Sequence, residues 1–182
     1  MNQSRILSPS HFLIAVLVSI LAAGCAVSQT PVQDSKGTNR QQFPNWKTNF
    51  DKSAVSMDEF MSGGPPKDGI PAIDQPKFVG IANAREWLQK NEPVISLTIN
   101  GESRAYPLQI LMWHEIANDE IKGVPVSVTF CPLCYTAIAF DRRLDDKVLD
   151  FGVSGMLRHS DMVMYDRQTE TWWQQISGEG LV

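Results

Sequence analysis

Histidine, cysteine and clustered positive charge are all scarce in this chain, and each scarcity closes off a class of function. Among 182 residues there are three His and three Cys, and Lys plus Arg number 16 against 20 Asp plus Glu, a formal charge of −4. The longest basic group, Arg142-Arg143, is hemmed in by Asp141, Asp145 and Asp146. Tracking a phosphate backbone takes clustered Lys and Arg, so nucleic acid is excluded as a partner. A serine nucleophile elbow is missing too: Ser154 stands in Val-Ser-Gly without the Gly-x-Ser-x-Gly frame. Covalent haem attachment is excluded because Tyr135 occupies the place where that motif requires His. No internal repeat is visible, and no twin-arginine signal precedes the first apolar run.

That run, Phe12 to Leu21, is shorter than the about 20 apolar residues of a stable membrane span. Its length suits the h-region of a secretory leader, with Arg5 as the lone preceding cation. Ala22-Ala23-Gly24-Cys25 resembles a lipobox with Ala22 in place of the usual Leu. The expectation is a lipoprotein signal peptide over 1–24 and acylation of Cys25; an ordinary cleavage near Ala23 or Ala26 is the alternative. Loss of Arg5 makes the chain one charge more acidic, which disfavours docking to anionic lipid and leaves the acyl chains as the membrane attachment. The location implied is extracytoplasmic, on the periplasmic face of the cell envelope.

From Ala26 to about Met57, Ser, Gln, Asn, Thr, Lys and Pro dominate, which reads as a solvated tether over 25–59. Residues 60–182 are then one domain of ordinary size. The stretch Gly63 to Pro76 is too broken by Pro and Gly for a regular element, so tertiary contacts must order it. Val94–Ile99 alternates, Asn100-Gly101 suits a tight turn, and Glu102–Tyr106 returns, predicting a hairpin. A brief helix is expected around 82–90. Pro107 can open a second helix, apolar nearly all round, through Leu108–Ala117. Val124 to Phe130 alternates with Val and Phe on one face and Ser127, Thr129 and Cys131 on the other. Strands over Tyr135–Phe140, Val148–Val153, Met162–Tyr165 and Thr171–Gln175 complete an α+β reading: a mostly antiparallel β-sheet with one or two short helices packed on it.

Several separated segments carry a resemblance: Asp68-Gly-Ile-Pro-Ala-Ile-Asp74, Tyr106 to Glu115, Val128-Thr-Phe-Cys-Pro-Leu-Cys134 with Phe140-Asp-Arg142, Phe151-Gly-Val-Ser-Gly155 with Ser160-Asp161, and Met164-Tyr-Asp-Arg167. In that order they resemble the domain-of-unknown-function family numbered 3179, over most of Asp68 to Gly178. The resemblance implies an exported or membrane-associated protein and carries no assigned activity. Members of that family usually continue past the segment matching Trp172 to Gly180, which leaves the completeness of the domain at Val182 open.

Chemistry therefore has to be read from Cys131-Pro132-Leu133-Cys134. Such a pair can close a small disulfide, present two thiolates to a soft metal, or cycle between redox states. A disulfide over so short a loop removes little chain entropy, so its value as a staple is small. In thioredoxin-like proteins the pair opens a helix whose dipole activates the thiol; here a strand follows, which is closer to a metal knuckle. Two thiolates need further donors. His114 is the leading one, in the Trp113-His114-Glu115 segment that matches a family motif; its alternative role is a core imidazole bonded to a carbonyl or to Glu115. Met156, His159 and Met162 are possible additional ligands, and Met162 and Met164 alternate as packed strand residues also do. A Cys-Cys-His set with an optional Met suits Cu(I), with zinc as the alternative and a metal-acceptor or redox protein as partner. Asp161, Asp166 and Arg167 read as a turn and its ion pair, and Asp68 and Asp74 as turn or cleft residues. Two other functions stay open: a thiol–disulfide oxidoreductase in which Cys131 attacks and Cys134 resolves, and a scaffold domain with a structural disulfide.

Overall fold

Strand periodicity organises this chain, and the alternation of each strand decides which layer it joins. The computed structural model describes residues 42–182, so Cys25, the leader and most of the expected tether lie outside the described residues. Twelve strands are formed among the described residues: β1 (Phe60–Ser62), β2 (Ile73–Asp74), β3 (Val94–Ile99), β4 (Glu102–Pro107), β5 (Ile116–Ile121), β6 (Val124–Cys131), β7 (Thr136–Asp141), β8 (Arg143–Leu144), β9 (Lys147–Val148), β10 (Phe151–Arg158), β11 (Asp161–Asp166) and β12 (Trp172–Gln174). Two short helices interrupt them, α1 (Ile81–Ala84) and α2 (Leu108–His114). None of these helices is long and apolar enough to cross a membrane.

The expected single, mostly antiparallel sheet with helices packed on it is overturned. The strands divide into two four-stranded sheets, β1-β10-β11-β12 and β2-β5-β6-β7, plus the two-stranded ribbons β3–β4 and β8–β9. One pairing is parallel: Ile73 and Asp74 of β2 lie beside Ala117 and Asn118 of β5. Helix contributes little, since α1 buries no residue and α2 buries only Leu108 and Leu111. The reason is that period-two alternation fixes a strand's faces but not its neighbours; strands that are inward-facing on both sides of one core join different sheets.

The layers follow from alternate residues. Ile116 and Cys131 of one sheet meet Phe151, Val153, Met162 and Met164 of the other in a shared inner core. The intervening residues face outward: Ala117, Val128 and Phe130 lie under the β3–β4 ribbon and α2 with Tyr106, Leu108 and Leu111. On the far side, Val163, Tyr165 and Trp172 are covered by Phe50 and Phe60. Asn118 helps join the sheets, its amide donating to the Phe151 carbonyl at 2.8 Å and accepting from the Phe151 N–H at 3.1 Å.

The segment from Phe43 onward, which composition assigns to the tether, is part of this packing. Phe43, Trp46, Phe50 and Phe60 surround the fully buried Trp172 ring with centroids 5.0–5.5 Å away, all edge-on. Sparse aromatics in a polar stretch dilute any compositional signal, yet each ring buries a large apolar area. The Pro- and Gly-rich stretch is ordered by tertiary contacts: Gly63 N–H donates to the Gly155 carbonyl at 2.8 Å and Asp68 N–H to the Val153 carbonyl at 2.9 Å. Tyr165 O–H bonds Asp68, and Asp74 holds Arg167 and Asn118. The Gly155 φ of +77° lies where L side chains are strained, and a Cβ there would collide with the Pro65 carbonyl oxygen.

The β3–β4 hairpin forms where Asn100-Gly101 places it, with φ of 49° and 79°. Helix α2 is shorter than its apolar run and less buried, with Met112 and Trp113 exposed. It ends because Glu115 takes a φ of 58°, turning the chain so that Ile116 starts β5. Burial pushes the Glu115 carboxyl up to about 7. The protonated form is favoured by the fold, so its contribution is fully present below the unfolded value near 4.3 and is lost as pH rises through about 7. Glu115→Gln is therefore expected to raise Tm by roughly 2–6 °C at pH 8, allowing for partial exposure, and to leave it nearly unchanged at pH 4. Thermal melts at the two pH values check this; an equal shift at both would contradict a desolvated carboxyl.

Candidate metal centre

β6 alternates an apolar outer face with a polar inner one, and its last inner residue is Cys131, 1% exposed. Cys131 pairs across the ladder with Thr136 of β7, so residues 132–135 form the loop of a hairpin. Tyr135 closes that loop at a φ of 55° with its ring edge-on to Phe130, 5.5 Å between centroids. This turn between strands brings Cys134 back, half-buried, beside Cys131, and both are free cysteines.

Asp161, the first residue of β11 and 5% exposed, completes the group. The two sulfurs and a carboxylate oxygen all lie within 4.8 Å of one another. Cys134 Sγ is 3.4 Å from Asp161 Oδ1. The other oxygen, Oδ2, is taken up by the Gln174 amide at 2.5 Å and the Ile176 N–H at 3.0 Å. Asp161 is thereby aimed, with one oxygen anchored and one facing sulfur.

Hydrogen-bond direction in the adjoining network can be worked out from its far end. Thr129 O–H donates to the Ile138 carbonyl at 2.8 Å, so its oxygen accepts from Gln175 Nε2 at 3.0 Å. Gln175 Oε1 then receives the Thr136 O–H at 2.9 Å. With that proton committed, Thr136 Oγ1 faces Cys134 Sγ at 2.8 Å as an acceptor. Cys134 thus faces two side-chain oxygens that accept, with the Cys131 thiol beside it.

Cys131 differs. Its proton is held tightly, pushed up to about 12 by burial first and by its bond with Cys134 second, although the N–H groups of Cys134 and Met162 point at its sulfur. The Cys134 N–H belongs to the hairpin loop, as in a metal-holding knuckle, and that of Met162 comes from β11. Among the described residues, no Lys or Arg is hydrogen-bonded or ion-paired to the three ligand atoms. Arg158 reaches Gln174 at 3.0 Å but is itself paired with Glu59 at 2.6 Å.

The remaining candidates fall elsewhere. His114 does not join the group: as the last residue of α2 its Nδ1 lies 2.8 Å from the Pro71 carbonyl, and the turn at Glu115 sends Ile116 to the inner core instead. His159 sits on the β10–β11 turn, 66% exposed, with Nε2 3.0 Å from Glu59. Met156 packs in the outer cluster around Trp172, whereas Met162 shares the inner core with Cys131. Asp166 is a turn residue, accepting from Thr169 and from Trp173 Nε1. Asp161, read from sequence as part of the same turn, is the candidate ligand that reasoning along the chain misses. Its only sequence signal is its place in the Ser160-Asp161 motif, since its approach to Cys134 is purely tertiary.

Comparison with curated proteins and with solved structures finds no match. A family model does match, over residues 67–182, and spans β2 to β12 together with the whole cysteine–aspartate group. The chain belongs to the family of proteins of unknown function designated DUF3179.

Proposed function

We propose that this protein is a lipid-anchored, metal-handling domain of the cell envelope, in which Cys131, Cys134 and Asp161 bind a thiophilic divalent cation. The observation that carries the reading is the grouping of Cys131, Cys134 and Asp161, whose ligand atoms all lie within 4.8 Å of one another, with Cys134 Sγ 3.4 Å from the carboxylate. When both thiols give up their protons to a metal, two thiolates and a carboxylate bring three negative charges with no basic side chain among them in the described residues, and the metal ion is the counter-charge. The donor set moves the preference from copper to zinc. Cu(I) was favoured by a Cys-Cys-His set, but a carboxylate is a hard donor, and zinc accepts sulfur, nitrogen and oxygen together. Three protein donors leave one tetrahedral position for water or for a ligand from an acceptor protein, which suits exchange better than a closed structural site.

The oxidoreductase reading is weaker because its attacking residue is the wrong one. Cys131 is buried, and burial raises its thiol well above the ordinary range, whereas attack needs an accessible thiolate. Metal analysis of the full chain purified anaerobically distinguishes the readings. Near-stoichiometric zinc is expected, lost in Cys131→Ser/Cys134→Ser, bound at least about tenfold more weakly by Asp161→Asn, and retained by His114→Ala. Because the thiols must release protons to bind, zinc affinity should rise between about pH 6 and pH 8. A metal-free protein with a readily reducible Cys131–Cys134 disulfide would favour the oxidoreductase; an inert disulfide would favour the scaffold.

The anchor is the second half of the proposal, supported by the short apolar run and the Ala-Ala-Gly-Cys sequence ending at Cys25. Cells fed labelled palmitate should incorporate it into the wild-type chain and not into Cys25→Ser. An unlabelled wild type would instead indicate a secreted protein released by ordinary cleavage.

A further inference from the structure

On the face of β5 and β6 opposite the cysteines there is a groove of about 890 Å³ between the 76–92 segment, the β3–β4 ribbon and α2. Its volume lies within the range of small-molecule sites, about 300–1,000 Å³. Phe78, Trp87, Leu88, Val94, Ile110 and Leu111 give it a predominantly apolar wall. Phe78 is fixed there, edge-on to Tyr106 with 5.5 Å between ring centroids and under the Arg104 guanidinium at 4.7 Å. Even so, Phe78 and Trp87 are each 43% exposed and Val94 39%. Large side chains left open along one concavity mark a binding surface.

Charge at the edge narrows the ligand. Lys77, Arg85 and Lys90 line the groove, are exposed, and make no ion pair among the described residues. The two carboxylates that line the groove are already engaged: Glu102 by Arg104 and Lys122, and Glu92 by the Gln109 amide. An otherwise acidic protein thus offers three uncommitted cations around an apolar channel. We propose that the groove binds a single-chain anionic amphiphile of the long-chain carboxylate type, its chain along Phe78, Trp87 and Val94 and its head against Lys77, Arg85 and Lys90. This site is independent of the metal proposal and lies on a different face.

Dodecanoate, below its micelle-forming concentration, is the probe for titration calorimetry with the full chain. Saturable one-to-one binding is expected, weakened about tenfold or more by Lys77→Glu/Arg85→Glu at unchanged Tm and weakened by added salt. Dodecyltrimethylammonium, with the same chain and opposite head, should bind at least about tenfold more weakly than dodecanoate. Equal binding of the two amphiphiles, no effect of charge reversal, or no saturable binding would each overturn the proposal. So would a concentration-dependent dimer abolished by Trp87→Arg in a protein that does not bind dodecanoate, which would assign the groove to a second copy of the chain.

Discussion

Two consecutive glutamines hold the candidate centre together, and most of the local structure depends on their hydrogen bonds. Gln175, fully buried, ties the β6–β7 hairpin to the segment after β12 through Thr129 and Thr136. Gln174, its neighbour, anchors Asp161 through Oδ2. One residue therefore sets the proton direction at Cys134 and the next aims the carboxylate. Neither amide can rotate without leaving buried polar atoms unpaired, at about 1–3 kcal/mol for each group. This is a cooperative network in a low-dielectric interior, where satisfied polar groups specify a single arrangement.

The layers around this network explain why it is rigid. The polar inner face of β6 would be costly if it faced only hydrocarbon, and Gln175 offsets that cost where the two sheets meet. Outside the sheets, the Trp172 cluster seals one face and α2 with the β3–β4 ribbon seals the other. The glycines of Phe151-Gly-Val-Ser-Gly155 allow the 63–74 segment to lie directly on β10, with Gly152 against the Tyr165 ring and Gly155 against Pro65. Phe151 to Gly155 thus accommodates the 63–74 segment, while Cys131, Cys134 and Asp161 form the cysteine–aspartate group.

Local features were legible in the chain and long-range ones were not. Asn100-Gly101 located the β3–β4 turn because only a few residue types accept positive φ twice in succession. The alternation from Val124 to Cys131 correctly assigned the thiol to the polar face of β6. The run Leu108 to Ala117 misled, since it contains no Gly or Pro to announce that Glu115 adopts φ 58° and starts a strand. His114 was therefore assigned to a site it does not reach. The division into two sheets was hidden because strand alternation is silent about partners, and Asp161 was hidden because only the packing of one sheet against the other carries it to Cys134. Phe43, Trp46 and Phe50 were masked by the polar residues between them.

On this proposal Cys131, Cys134 and Asp161 act as one set of metal ligands. X-ray absorption at the zinc edge of the purified full chain tests it most directly. Two sulfur scatterers at about 2.3 Å and oxygen scatterers at about 2.0–2.2 Å are expected, with one sulfur lost in Cys134→Ser. A first shell containing imidazole, or the same spectrum from wild type and Cys134→Ser, would contradict it.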